Sequence, residues 1–199
     1  MNRTYVFADW ILEMLILHMY WMLYTLKGGV IFGIFPSTAA TYAVIRNWML
    51  HGRVKGTASL FKKYYRENFK ASNLLGWMLM ITTLTLALNL YIIPFLNDTV
   101  RLIMYSVLIF IFVIVVIQWL YVFPMLVHYS LSIANYFVAN MRIGLTSFSA
   151  IIMQCMIIAI YGLLLYIAPA LLIIFGIIPI AFVQIAISSN VFDRLQARF

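Results

Sequence analysis

The chain has 199 residues, of which 66% are hydrophobic and 9% charged, with a mean hydropathy of +1.04, whereas a soluble domain gives about 25% of its residues to charge. That composition excludes an ordinary water-soluble globule. The net charge of +8 is carried by residues lying between apolar runs, so retention on the cytoplasmic side of a membrane accounts for it and no nucleic-acid partner is expected.

The runs 71–97, 102–141 and 143–192 contain no Asp, Glu, Lys or Arg, and each exceeds the roughly 20 residues a helix needs to cross a bilayer. Residues 2–10 read as a short interfacial lead-in, followed by a first span from Ile11 to Leu26 that carries Glu13 and His18 and ends at Lys27. Asp9 and Glu13 interrupt the start and no small-residue cleavage pattern follows, so the N-terminus is expected to be retained.

The next stretch, GGVIFGIFPSTAATYAVIRNWML, has Gly28, Gly29, Gly33 and Pro36 in its first half. Two readings stand for 28–45: a short crossing, or a re-entrant loop followed by a helix, since irregular backbone at membrane depth must be buried or line a wet cavity. Ser37 or Thr38 is the expected cap of the helix that follows.

From 46 to 72 the chain is basic, with Arg46, Arg53, Lys55, Lys62, Lys63, Arg66 and Lys70 opposed only by Glu67. Leu60, Phe61, Tyr64, Tyr65 and Phe69 fall near helical spacing within it, which predicts an amphipathic helix on the cytoplasmic surface. Spans are then expected at 73–94, 102–127, 145–165 and 170–188, with a second interfacial helix at 127–144 and Pro169 separating the last two spans.

The result is an all-α polytopic membrane protein, a single membrane domain over 1–199, with about six transmembrane helices and amphipathic interfacial helices. Six crossings put Arg3, the basic cluster, Arg142, Arg194 and Arg198 on one side with both termini, leaving only Lys27 and Arg101 opposite and making the termini cytoplasmic. The segments 57–93 and 128–165 also echo one another, each running from a polar, aromatic, Asn-containing stretch into a span, a pattern found in transporters built from repeats.

No nucleophile-base pair, HExxH, Walker A or catalytic carboxylate pair occurs. His18, His51 and His128 are scattered, and the lone Cys155 reads as a small buried hydrophobe. Catalytic, metal and cofactor-binding residues are therefore expected to be absent. Asn89, Gln118, Gln154 and Gln184 read as hydrogen-bonding devices between helices before they read as solute ligands.

Gly33, Pro36, Thr38, Ala39 and Ala40, followed by Phe61 and by the run Asn68, Phe69, Lys70, Asn73, Leu74, Leu75 and Gly76, resemble the YesL family of small membrane proteins of Bacillus and related Gram-positive bacteria. The resemblance runs over essentially the whole chain. It implies a multi-pass protein of the bacterial cytoplasmic membrane whose genes neighbour those of carbohydrate importers of the ABC class. The implied role is a non-enzymatic accessory subunit of oligosaccharide uptake, with the ABC permease subunits as partners and without the EAA-type coupling loop of a permease itself. An autonomous small-solute transporter or channel is the alternative. The residues expected to pack or meet a partner are Gly33, Pro36, Thr38, Lys62, Lys63, Arg66, Asn68, Phe69, Lys70 and Asn73; membrane lipids and a second copy of the chain are further expected contacts.

Overall fold

The computed structural model describes residues 3–52 and 56–196, with side chains from Asp9 to Arg194. Arg53, Lys55, Arg198 and the side chain of Arg3, all used above as orientation markers, lie outside this description. The described chain is all helical: α1 (Arg3–Lys27), α2 (Ile34–His51), α3 (Thr57–Ile92), α4 (Asp98–His128), α5 (Ile133–Thr146), α6 (Phe148–Ile167), α7 (Ala170–Phe175) and α8 (Ile178–Gln196).

Local chemistry accounts for the turns. At the end of α1, Val30 N–H donates to the Thr25 carbonyl and Gly29 N–H to that of Leu26, both at 2.9 Å. This is the Schellman pattern, and Gly29 supplies the left-handed residue it requires at φ 69. Val30 is also left-handed, at φ 63, a strained position for a β-branched residue. Before α4, Asn97 caps the helix by accepting from Val100 N–H at 3.2 Å, and Asp98 places a carboxylate in the first turn, where the helix dipole favours it.

The expected six spans are corrected to three. Among the described residues only α3 (with the 3-10 turn Ile93–Phe95), α4 and α6 are long and apolar enough to cross a membrane. The other helices fall short for chemical reasons. Glu13, His18 and several Tyr and Trp residues dilute α1, while Ser37, Thr38, Thr41, Arg46 and Asn47 dilute α2. The expected span at 170–188 is two pieces, because Gly176 at φ 52 separates the short α7 from α8, which carries Gln184, Ser188, Asn190 and Asp193. The six-span count therefore no longer supports placing both termini on one side. The protein is an α-helical membrane protein with several apolar spans.

Of the two expected forms of segment 28–45, the crossing is not among the apolar spans of the described residues, and the backbone is a loop followed by a helix, as in the second. Residues 28–33 make the turn, and α2 starts at Ile34, so Ser37 and Thr38 lie inside the helix rather than at its cap. Pro36 sits in the first turn, where its missing N–H is harmless. Thr38 and Thr41 return their hydroxyls to the carbonyls of Ile34 (2.8 Å) and Ser37 (3.0 Å). Eleven residues of α2, among them Ala39, Ala40, Val44 and Ile45, are buried, against α1, α3, α4 and α8. Its apolar residues build the interior.

The basic segment and the span after it are one continuous helix. With 36 residues in α3 and a rise of about 1.5 Å per residue, α3 is about 54 Å long, against about 30 Å of hydrocarbon. Its polar half therefore extends past the span. In the echoing segment the chain breaks at Ser147, and α5 and α6 are separate helices. A second, small core of Leu86, Ile93 and Leu108 closes the far end of the α3–α4 hairpin.

Candidate functional site

The residues singled out by sequence separate into two groups. The first is a joint among α1, α2 and α3. A Cβ on Gly33 would overlap the Thr25 carbonyl, so the α1–α2 turn closes only because that position has no side chain. Asn73 on α3 donates from Nδ2 to the Phe32 carbonyl in this turn and to the Phe69 carbonyl on its own helix, both at 3.0 Å. Trp21 Nε1 donates to Thr38 Oγ1 at 3.1 Å. The Phe69 ring meets Tyr65 at 5.6 Å, and Tyr65 meets Tyr24 at 4.9 Å. Asn68 bonds within its own helix, from Nδ2 to the Tyr64 carbonyl at 3.0 Å. Gly33, Pro36, Thr38, Phe69 and Asn73 are thus packing residues of one joint, with Asn68 half-buried at its edge.

The second group is open. Lys62, Lys63, Arg66 and Lys70 are exposed on α3, while Phe61 and Tyr65 on the opposite face are buried. Lys63 stands 4.0 Å from Glu67, with both side chains more than half exposed, a pair that contributes little. Lys62 and Arg66 pair with no described residue. Together with Ser59 these side chains border a shallow hollow of about 400 Å³. The arrangement is a basic stripe on a helix braced from behind by aromatic packing, suited to an acidic or phosphate-bearing surface.

Several interior contacts were not visible in the sequence. Thr57 donates to Glu13 Oε2 at 2.9 Å, which sets a carboxylate at the N-terminus of α3, where the helix dipole stabilises it. Arg46 Nε donates to His128 Nδ1 at 3.3 Å, an acceptor role that assigns the neutral imidazole its proton at Nε2. Tyr42 donates to Gln184 across 142 positions of chain, and burial raises the Tyr42 phenol above its ordinary value, which keeps that proton in place. Gln118 donates to the Phe137 carbonyl and accepts from Asn140, both at 3.0 Å.

Of the four amides expected to link helices, then, Gln118 and Gln184 do so. Asn89 bonds only the Thr85 carbonyl of its own helix. Gln154 is 1% exposed and its amide stands against the Tyr121 hydroxyl of α4, outside ideal hydrogen-bond geometry. His18 is buried against Gly176 at the α7–α8 break and stacks on Trp21 at 5.8 Å; burial lowers its pKa, opposed by the Ile173 backbone. Tyr161 donates to the Gly176 carbonyl at 2.5 Å. Cys155, expected to be buried, is exposed, on the wall of an open apolar groove between α4 and α6. Among the described residues no three His, Cys, Asp or Glu side chains gather.

Fold and site together define a membrane protein with a rigid three-helix joint and a basic stripe. Comparison with known proteins adds a distant kinship. Residues 14–90, which run from α1 through the joint and nearly to the end of α3, match the model of a family of unknown function, DUF624. The chain is 32% identical over 129 residues to the uncharacterised protein YteU of Bacillus subtilis, covering 65% of this chain and 58% of YteU. It is 29% identical over 180 residues to the uncharacterised protein YesV of the same organism, covering 89% of this chain and 86% of YesV. It is 29% identical over 145 residues to the uncharacterised YesL, covering 70% of this chain and 68% of YesL. The chain thus spans under two thirds of YteU, and it is distantly related to these Bacillus proteins. No solved structure matches the fold.

Proposed function

We propose that the chain is a YesL-type, non-enzymatic accessory subunit of the bacterial cytoplasmic membrane that docks the permease subunits of a carbohydrate ABC importer. The observation that supports this reading most is the stripe of Lys62, Lys63 and Arg66. It lies on the part of α3 that extends past the span, Glu67 is the one carboxylate paired with it among the described residues, and the joint packs against the helix from behind. A rigid charged surface favours fast, oriented docking to a complementary partner. The basic half of α3 is cytoplasmic in this reading.

The test is a mild-detergent pull-down of the tagged chain from its host, grown on polysaccharide. Permease subunits copurify at near-equal amounts with the wild type, and the triple variant Lys62→Gln, Lys63→Gln, Arg66→Gln releases them while still inserting in the membrane. Retention at unchanged affinity removes the stripe from the role, and recovery of the chain alone, with crosslinking also negative, removes the permease partner.

An autonomous small-solute transporter is a second reading, supported by one observation. The buried Gln154 amide beside Tyr121 and the His18–Tyr161 surround of the α7–α8 break place polar groups inside an apolar bundle, as broken helices do in transporters. Solute flux in liposomes holding this protein alone supports that reading; flat traces across a panel of sugars, amino acids and ions count against it.

A further inference from the structure

The height of the α1–α2 hairpin beside α3 is fixed by its contacts. Phe35, in the first turn of α2, lays its ring on Gly76 and meets Trp77 at 5.5 Å, while Asn47, near the end of α2, donates to the Tyr64 hydroxyl at 3.3 Å. α2 therefore runs antiparallel to the first half of α3. On α1, Glu13 is bonded to Thr57 and the Tyr24 ring lies 5.1 Å from Phe61, so α1 runs along the same half. The hairpin thus stands beside the basic part of α3, and its tip lies at Asn73, which holds the Phe32 carbonyl at 3.0 Å. The last lysine of α3 is Lys70, and the charge-free run begins one residue later. Only the tip reaches the depth at which α3 enters hydrocarbon.

The chemistry of the tip suits that depth. Turns that face water are built from Gly, Asn, Asp and Ser, but here Leu26, Val30, Ile31 and Phe32 are between 49% and 65% exposed. Val30 holds its left-handed backbone at φ 63, and with half its surface open the strain is not offset by burial within the fold. Lys27 is exposed beside the tip. Its amine turns back along α1 to lie 5.5 Å over the Tyr24 ring, as a lysine does when its stem covers apolar surface and its amine stays at headgroup level. The tip is also continuous with Leu74 and Met78, exposed at the start of the α3 span, whose surroundings in a membrane are lipid.

We propose that the α1–α2 turn is a membrane wedge. Leu26, Val30, Ile31 and Phe32 dip into the hydrocarbon of the leaflet that α3 enters, Lys27 meets the lipid phosphates above them, and the hairpin does not cross. Continuity with the lipid-facing start of the span selects lipid as the occupant over a protein partner. The same placement keeps Lys27 on the side of Lys62, Lys63, Arg66 and Lys70, with Arg101 on the far side of the span, the segregation that basic residues follow in membrane proteins. The wedge stands whichever partner the basic stripe has.

The full chain carrying Cys155→Ala, which removes its sole cysteine, is spin-labelled at Ile31→Cys and reconstituted alone in phosphatidylglycerol–phosphatidylcholine liposomes. Power saturation then compares collisions with oxygen, which concentrates in hydrocarbon, and with a water-soluble nickel chelate. Leu50→Cys, exposed at the opposite end of the hairpin, is the aqueous reference, and Ile109→Cys, exposed on α4, is the reference for the body of a span. The label at Ile31→Cys is expected to meet oxygen freely and the chelate about tenfold less than the Leu50→Cys label does, since a polar reagent is excluded from hydrocarbon, with an oxygen-to-chelate ratio between those of the two references. Phe32→Cys, a second exposed position of the tip, gives the same ordering if labelling at Ile31→Cys disturbs the turn. Chelate access equal to that of Leu50→Cys puts the tip in water, on one side or the other, and overturns the proposal. Low access to both reagents means that protein covers the tip, a second copy included, and overturns it as well. A ratio as high as that of Ile109→Cys makes the hairpin a deep insertion rather than a wedge.

Discussion

The two halves of α4 are both apolar and opposite in environment. From Val115 to Leu126 nearly every side chain is buried, while from Leu102 to Val113 only Leu108 is. An apolar composition does not by itself place a segment inside, because lipid tails solvate Leu and Ile as well as a protein interior does. What distinguishes the buried half is polarity. Gln118 reaches α5 through Asn140 and the Phe137 carbonyl, and Trp119 Nε1 donates to Thr83 on α3 at 3.0 Å. The outer half offers Ile103, Ile109, Phe110 and Phe112, all exposed, and its one side-chain hydroxyl bond, from Ser106, returns to its own helix. In this chain the polar side chain marks the inside of the bundle and the most apolar one marks the outside.

The largest way to break the buried region is at its tightest approach. Gly33→Leu places a branched side chain on the Thr25 backbone, where no rotamer of a neighbour can relieve it, so the α1–α2 turn has to open. The expected loss is about 3 kcal/mol, at the upper end for overpacking. Reduced folded yield and a lower unfolding midpoint in detergent would carry that result, and an unchanged midpoint would refute the close approach. The exposed half of α4 responds to a different change. Ile109 is 65% exposed, so Ile109→Arg disturbs no packing and leaves stability in detergent nearly unchanged. In a bilayer the same residue meets hydrocarbon, and insertion weakens by about 2.5 kcal/mol. Normal insertion of that variant in a glycosylation-reporter assay would show that this face does not meet lipid.

Much of the helical framework is legible in the sequence because its stops are local. Gly28–Gly29 and Asn97 mark turns by their own backbone chemistry, and the basic amphipathic pattern over 57–70 places Phe61 and Tyr65 on the buried face. The number of spans is not legible in the same way. In α2, Ala39, Ala40, Val44 and Ile45 score as apolar whether they face lipid or other helices, and the burial of that helix depends on α4 and α8, which arrive far later in the chain. The break at Gly176 has a sequence signal, a glycine inside an apolar run, that attention to Pro169 obscures. The site residues divide likewise. The exposure of Lys62, Lys63 and Arg66 follows from helical periodicity, but the bond from Asn73 to the Phe32 carbonyl and the pairing of Glu13 with Thr57 join positions more than 40 apart, and no local rule connects them.

The smallest expected effect tests whether polarity holds the buried half together or only accompanies it. Asn140→Leu removes the donor to Gln118 and leaves Gln118 Oε1 without a partner in a buried position, at an expected cost of about 1 kcal/mol, since interhelical bonds of this kind contribute roughly 0.6–2 kcal/mol in membrane proteins. Gln118→Leu alone strips the Phe137 carbonyl of its side-chain donor and leaves Asn140 unpaired, with a similar cost. The double variant leaves neither amide stranded, and replacing both partners by apolar groups of like size is close to neutral. Detergent unfolding of the four proteins therefore gives a cycle in which the double variant is more stable than either single variant. Two losses that simply add would mean that the amides act independently, and that α4 and α5 are held by shape alone.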